Sequence, residues 1–162
     1  VDVIDFDIDT FFFADPTPVI LEQRDREGVE MLFSSHFDAD CLNFGFYYVR
    51  ATARTALFFT HFLSWYYNVP FENGQRGINT FLNHSEGVRR VGVSFLPPDI
   101  PKVPYGVLDS AQQFSGTCGS GWLGESTRDI VVFHWCGALF ENKWRDLNEL
   151  YAAVGSDDFW DT

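Results

Sequence analysis

The sequence is poor in positively charged residues. Its 162 residues include 11 lysines and arginines against 23 aspartates and glutamates, which gives a net charge of -12. A chain with this charge repels polyanions unless a metal ion or a local basic patch intervenes. The composition therefore argues against nucleic acid as a partner.

Cysteine is also scarce, and long apolar runs are missing. Cys41, Cys118 and Cys136 are too few and too irregularly spaced for a disulfide framework or a CxxC zinc site. One disulfide with one free thiol, or three thiols, both remain open. No apolar run approaches the roughly 20 residues of a membrane span, and no basic segment precedes a hydrophobic stretch at the start. Membrane attachment would therefore need a segment that this chain lacks.

Apolar residues make up 46% of the chain, enough for a sizeable core. Their periodicity predicts strands and helices, with Thr52 as a helix N-cap and a turn at Asp15–Pro18. A polar loop is expected over His36–Cys41, and loop with at most short strands over Pro101–Gly121. The predicted strands are Val1–Phe6, Glu30–Ser35, Asn43–Arg50, Arg90–Leu96 and Asp129–Trp135, and the predicted helices are Ala53–Asn68, Gln75–Leu82 and Glu141–Val154.

Strands that alternate with helices predict an α/β fold, with helices flanking a mixed, mostly parallel sheet. We see no repeat or linker, so residues 1–162 are interpreted as a single domain. Val1–Phe6 is interpreted as a fully buried strand of the kind found inside parallel sheets. Because such a strand needs neighbours on both sides, we expect the chain to be the C-terminal part of a larger domain.

Three aspartates alternate along the end of the first predicted strand, at Asp5, Asp7 and Asp9. Burying carboxylates there is unfavourable unless a cation or hydrogen-bond donors offset the charge. Asp7 and Asp9 could both reach one cation, so the pattern predicts a Mg²⁺ or Mn²⁺ site. Asp5 is expected beside the metal ligands. The similar pair Asp38 and Asp40 is interpreted as part of a solvated loop.

Three segments of the chain carry recognisable motifs: Ile4–Asp9 with Asp15-Pro16, Asn43–Thr52, and Phe133–Gly137 with Lys143 and Trp144. In this order they resemble nucleotide-diphospho-sugar transferases, especially the glycosyltransferase family 77 type. The first segment is similar to that family's strand, Asp-x-Asp motif and Asp-Pro turn. The second resembles its Asn-x-Gly-x-x-x-x-Arg segment before a long helix, and the third its His-x-x-Gly with a downstream Lys.

The resemblance implies a GT-A fold and a metal-dependent glycosyltransferase. The implied donor is a UDP-sugar, the implied cofactor is Mn²⁺ or Mg²⁺, and the sugar would be transferred with retention of anomeric configuration. The implied acceptor is a glycan or glycoprotein. The implied location is the lumen of the secretory pathway, in the Golgi.

The resemblance also suggests roles for individual residues. Asp7, Asp9 and His134 are the expected metal ligands, and an imidazole suits Mn²⁺ better than Mg²⁺. Lys143 and the backbone N–H groups at Gly137 would contact the diphosphate, and Asp7, together with Asp5 if it lies on the nucleotide side, would take part in nucleotide binding. The expected substrate contacts are Asn43 and, in the Gly/Ser-rich loop, Trp122. The expected catalytic residues are Gln75 and Glu72.

One departure from the family pattern leaves a second hypothesis open. The family usually has Asp-Gln ahead of a helix, whereas this chain has Gly74 before Gln75. Glu72 could compensate for the missing acid. Otherwise the protein would be a catalytically silent family member that acts in binding or as a scaffold.

A third hypothesis is a phosphohydrolase of the haloacid-dehalogenase type. That family also places Asp-x-Asp at the end of a first parallel strand, and Asp157 and Asp161 would supply its distal acidic pair. It usually requires Thr or Val four residues after its nucleophile. Phe11 and Asp9 occupy the two candidate positions, which disfavours this hypothesis.

Overall fold

A computed structural model describes residues 1–36, 38–69, 74–84, 96–108, 114–116 and 130–134, together with Arg145 and Asn148. None of the helices in these ranges is long and apolar enough to cross a membrane. In chain order the elements are β1 (Val3–Phe6), β2 (Thr10–Phe12), α1 (Thr17–Glu27), β3 (Met31–His36), β4 (Asp38–Val49), α2 (Ala53–Asn68), α3 (Gly74–Phe81), β5 (Tyr105–Val107), β6 (Phe114–Gly116) and β7 (Val132–His134).

The described strands form two mixed sheets, with strand orders β1-β4-β3-β5 and β2-β7-β6. Strand β4 runs antiparallel to β1 and β3, and β2 runs antiparallel to β7. The pairs β3 with β5 and β6 with β7 are parallel. The expected α/β class and mixed sheet are confirmed, but "mostly parallel" is wrong for the described strands. Strands β3 and β4 are consecutive and joined by a tight connection, which requires an antiparallel pair.

The first strand is not the buried central strand that the sequence suggested. Within the described residues β1 lies at the edge of its sheet, and Val3 and Phe6 are each 51% exposed. Ile4 packs against the core while its neighbours Val3 and Asp5 are exposed, which suits a strand with one packed face, since side chains alternate between the faces of a sheet. That the chain is the C-terminal part of a larger domain stays a prediction.

The predicted polar loop after β3 is also wrong in part. Strand β4 already begins at Asp38, and His36 pairs with Asp38 across a tight hairpin. The polar residues that suggested a loop therefore extend the strand. Pairing with β3 decides their conformation, since the preference of a residue for a strand depends on its neighbours more than on its own type.

Helix α1 was missed because Asp15–Pro18 was interpreted only as a turn. The Asp15 carboxylate accepts a hydrogen bond from the Thr17 N–H at 2.9 Å, and Pro18 occupies the first helical turn. Gly28 ends the helix in the left-handed conformation, with φ 66°. Proline at the start and glycine just past the end are recognised helix signals, so the sequence contained the information.

The other described elements agree with the predictions. Helix α2 has the predicted bounds, and Thr52 forms a capping box with Thr55. Helix α3 is offset by one residue, and β5 and β6 are short strands within the predicted loop region. Strand β7 is shorter than predicted. The predicted strand Arg90–Leu96 lies almost wholly outside the described residues, and the predicted helix Glu141–Val154 is described only at Arg145 and Asn148, both helical.

The four-stranded sheet is packed on both faces. Helices α2 and α3 cover one face through an aromatic core that includes Phe33, Phe58 and Phe62. Helix α1 and the three-stranded sheet cover the other face around Ile20 and Phe46. Strands β1 and β2 belong to different sheets, so the short link between them lies where the two sheets meet.

Candidate metal centre

Asp7 and Asp9 lie in the three-residue link between β1 and β2. The Asp7 N–H donates to the Gly45 carbonyl at 2.8 Å, which anchors the link on β4. The Thr10 N–H donates to the Asp7 carbonyl at 3.1 Å and closes a turn. These backbone bonds direct the chain from one sheet to the other and hold both aspartates at the junction.

Strand pairing brings His134 to the same place. Strand β7 runs antiparallel to β2 with His134 opposite Thr10, the residue that follows Asp9. The His134 Nε2 atom lies 3.1 Å from Asp9 Oδ1 and 3.6 Å from Asp7 Oδ2. One ligand atom from each of the three residues lies within 4.8 Å of the others. The structure therefore brings the three predicted metal ligands together.

Gly45 makes room for this cluster. A Cβ atom at Gly45 would overlap His134 Cε1 and would lie 2.7 Å from both His134 Nε2 and Asp7 Oδ2. Real Cβ atoms essentially never approach other heavy atoms so closely. In the sequence, Gly45 stands out only as part of the Asn-x-Gly segment. Its role is steric, since any side chain here would displace the imidazole.

Asn43 lies on the far side of the imidazole from the aspartates. Its side chain is buried, with 1% exposure, and its Oδ1 accepts a hydrogen bond from the Gly45 N–H at 2.7 Å. Its Nδ2 lies 3.0 Å from His134 Nδ1. These contacts do not test the substrate contact predicted for Asn43.

The three side chains fit a divalent cation. Carboxylate oxygens are the ligands that Mg²⁺ and Mn²⁺ prefer, and the imidazole shifts the preference towards Mn²⁺. The His134 side chain is 6% exposed, whereas those of Asp7 and Asp9 are 65% and 23% exposed. The cluster thus has a buried imidazole on one side and solvent-accessible carboxylates on the other, where a substrate could approach.

Comparison with known proteins identifies the family. Residues 1–116 match the family model described as nucleotide-diphospho-sugar transferase. The chain belongs to that family. The match includes Asp7, Asp9, Asn43 and Gly45 and ends before His134. No curated protein and no solved structure matches the chain.

Membership supports a glycosyltransferase-type function with a sugar nucleotide as donor. It confirms the broader resemblance that the sequence suggested, while assignment to the glycosyltransferase family 77 type stays a prediction. The phosphohydrolase hypothesis loses support in two ways. The family match points elsewhere, and the strand before Asp7 is antiparallel to its neighbour β4, whereas that hypothesis expected a parallel strand.

In this transferase, Asp5 lies directly opposite Tyr47 in the pairing of β1 with β4. Burial, then the neighbouring Asp5 carboxylate, raises the pKa of the Tyr47 phenol well above its usual range. The tyrosine ring stacks on Phe44, with the ring centroids 4.6 Å apart. The nucleotide-side role of Asp5 stays a prediction.

The predicted catalytic residue Gln75 lies on α3 and contacts the backbone of β4. The Gln75 Oε1 atom accepts a hydrogen bond from the Phe44 N–H at 3.4 Å. One turn later, the Asn79 amide accepts from the Leu42 N–H at 2.9 Å and donates to the Leu42 carbonyl at 2.8 Å. Asn79 thus pairs with β4 as a neighbouring strand would. Sequence reasoning missed Asn79, and its place four residues after Gln75 in the predicted helix was the available signal.

Four predicted site residues lie outside the described residues: Glu72, Trp122, Gly137 and Lys143. The acidic pair Asp157 and Asp161 of the phosphohydrolase hypothesis also lies outside them. The roles predicted for the four transferase residues therefore stay predictions.

Proposed function

We propose that the protein transfers a sugar from a UDP-sugar to a glycan or glycoprotein acceptor, with retention of anomeric configuration. Asp7, Asp9 and His134 would hold a divalent cation, with Mn²⁺ preferred over Mg²⁺. The observation that supports this proposal is the convergence of the three ligand atoms within 4.8 Å, beside a glycine that leaves them space.

The charge of the chain gives a reason for a cation. With a net charge of -12 the protein repels a nucleotide diphosphate, so donor binding needs local positive charge. A divalent cation at this cluster would supply it and would act as a Lewis acid for the departing diphosphate. The solvent-accessible carboxylates of Asp7 and Asp9 would provide oxygen ligands for this cation at the solvent-facing side of the cluster.

Other residues would complete the donor and acceptor sites. We propose that Lys143 and the backbone at Gly137 contact the diphosphate and that Asp5 lies on the nucleotide side. Gln75, with Glu72, would act near the transferred sugar, and Trp122 would contact the acceptor. The proposed location is the Golgi lumen.

Calorimetry of UDP binding to the full-length protein, with and without Mn²⁺, tests the proposal. We expect Mn²⁺-dependent binding that is lost in the Asp7→Ala, Asp9→Ala double variant. Asp25→Ala is the matched control, because Asp25 is an exposed acid on α1 whose side chain pairs with Arg24. UDP binding that does not depend on Mn²⁺, or that is unchanged in the double variant, would contradict the proposed site. A panel of UDP-sugars would then identify the donor.

A second candidate function is a catalytically silent transferase that binds its donor. Gly74, where the resemblance expects an aspartate, is the first residue of α3 and offers no acidic group. A Cβ added there would lie 3.3 Å from Phe44 Cδ1, so an aspartate would fit after a small shift of that ring. If native protein binds UDP without turnover and Gly74→Asp restores transfer, the silent function is supported. Ready turnover by native protein excludes it.

A further inference from the structure

The hydrogen bond between Asn43 and the His134 Nδ1 atom has an unexpected direction. A histidine that binds a metal through one ring nitrogen almost always donates the other N–H to a carboxylate, a carbonyl or water. Here His134 Nδ1 faces Asn43 Nδ2 at 3.0 Å. An amide NH₂ group can only donate, so the Nδ1 atom must accept.

The neighbouring backbone fixes the orientation of the Asn43 amide. The Gly45 N–H points at Asn43 Oδ1 from 2.7 Å, and a backbone N–H can only donate. Exchanging the amide oxygen and nitrogen would place two donors against each other at Gly45. Asn43 and His134 are both buried, with 1% and 5% exposure, so the two hydrogen bonds are shielded from water.

The ring proton of neutral His134 therefore lies on Nε2. That nitrogen lies 3.1 Å from Asp9 Oδ1, within the range of an N–H to carboxylate hydrogen bond. Nε2 is also the nitrogen that faces the two predicted carboxylate ligands. In this arrangement the atom that a cation would use as its ligand is protonated.

We propose that Asn43 is a positioning residue that holds His134 in its Nε2–H tautomer when no cation is present, and that ligation by Nε2 requires the Asn43 amide to turn over. In this exchange one proton leaves Nε2 and one binds Nδ1, so the ring stays neutral. The exchange also separates the Asn43 oxygen from the Gly45 N–H. The second half of the proposal rests on the proposed function, which assumes the cation, whereas the first half does not.

Asn43→Asp should remove the obstacle to ligation. The aspartate is nearly isosteric, and its two oxygens can accept from both the Gly45 N–H and a His134 Nδ1–H. A cation could then displace the Nε2 proton and leave a neutral ring whose Nδ1–H is held by the aspartate. We expect Mn²⁺ to bind about tenfold more tightly, in keeping with the effects of residues that orient metal-bound histidines.

Nitrogen-15 NMR of the histidine side chains in the full-length protein tests the first half without a cation or donor. His134→Ala identifies the His134 signal among the four histidines. We expect the Nε2–H tautomer with a bare Nδ1 in the native protein, and a proton on Nδ1 in Asn43→Asp. An Nδ1–H tautomer in the native protein would overturn the assignment, and this measurement does not depend on any variant at position 43 folding.

Mn²⁺ calorimetry on native protein, Asn43→Asp, His134→Ala and the double variant tests the second half. The gain from Asn43→Asp should vanish when His134 is absent. A gain that persists there would reflect only the added negative charge and would overturn the role of the tautomer. Failure of Mn²⁺ to bind any of these proteins would contradict the proposed cation site and this second half together, while the NMR result would still decide the first half.

Discussion

Strand β1 is flanked by aspartates at both ends, and the protein surrounds them differently. At the start, Asp2 accepts hydrogen bonds from the Tyr48 hydroxyl at 2.6 Å and the Ala51 N–H at 3.1 Å, and Arg24 lies 3.3 Å away. At the end, Asp7 and Asp9 converge on the His134 imidazole beside Gly45.

The difference separates a structural carboxylate from a candidate ligand set. At Asp2 the chain supplies two hydrogen-bond donors and a guanidinium, and these lower the pKa of the carboxyl. At Asp7 and Asp9 it supplies a side chain that can itself bind a metal, and a glycine that keeps the space open. The same residue type thus stabilises the fold at one end of the strand and presents candidate ligands at the other. The comparison leads to four predictions.

Gly45→Ala is expected to have the largest overall effect, because it should impair both cation binding and stability. Its Cβ would displace the His134 ring, so Mn²⁺ affinity should fall at least about 100-fold, and overpacking should lower the free energy of unfolding by about 1–3 kcal/mol. Calorimetry and urea denaturation measure the two effects. Gly28→Ala is the control, because it strains a backbone with φ 66° yet has nothing within 4 Å of its Cβ. The Gly28→Ala variant should lose stability but keep the native Mn²⁺ affinity. Normal Mn²⁺ binding by Gly45→Ala would refute the steric role.

The second prediction concerns removal of the negative charges at each end of β1. The double variant Asp7→Asn, Asp9→Asn should abolish detectable Mn²⁺ binding. Asp2→Asn should leave the Mn²⁺ affinity unchanged, because Asp2 contacts Tyr48, Ala51 and Arg24 and not the cation cluster. Calorimetry on both variants provides the measurement. Equal losses in the two variants would mean that the acidity of the chain, and not the arrangement at the end of β1, attracts the cation.

The third prediction concerns the structural end of the strand. Tyr48 is 2% exposed, and Tyr48→Phe removes the hydroxyl that joins Asp2 to Arg24. We expect the free energy of unfolding in urea to fall by about 1–2 kcal/mol, because hydrogen bonds to charged groups are lost. Tyr67→Phe, at an 82% exposed position, should have no effect. Mn²⁺ affinity should be the same in both variants, and a change confined to Tyr48→Phe would show that the two ends are coupled.

The smallest effect is a dependence of stability on pH. The hydrogen bond from Tyr48 is the first cause that lowers the pKa of Asp2 below its usual 3.8. Folded protein therefore binds this proton less tightly than unfolded protein, so the stabilisation is complete above the ordinary pKa and is lost as pH falls through the lower folded value. The difference in Tm between native protein and Asp2→Asn should shrink as the pH is lowered from about 5 to about 2. A constant difference would exclude the Asp2 charge as its source.

Apolar periodicity and capping residues predict a helix well when both are taken into account. The apolar period of Ala53–Asn68 and the cap at Thr52 predicted α2 with the observed bounds. Helix α1 offered comparable signals in Pro18 and Gly28, and it was missed because the proline pair was interpreted as a turn alone. Both cases depend on contacts between residues a few positions apart, which a sequence displays directly.

The candidate site was predictable in part. The alternation of Asp5, Asp7 and Asp9 indicated a cation site, and the family match includes that motif. The role of Gly45 could not be read from the sequence, because it arises only when His134 packs against the Gly45 Cα. The contact of Asn43 with the imidazole was hidden for the same reason.

The sequence by itself determined the family, the helices with their caps, and the position of two candidate acidic ligands just after a strand. Tertiary structure decided that β1 is an antiparallel edge strand among the described residues, and it brought His134 to Asp9 by placing it opposite Thr10 in the pairing of β2 with β7. The physical reason is the range of the interactions. Caps and periodicity act between near neighbours, whereas strand partners and their register are chosen by packing between segments far apart in the chain.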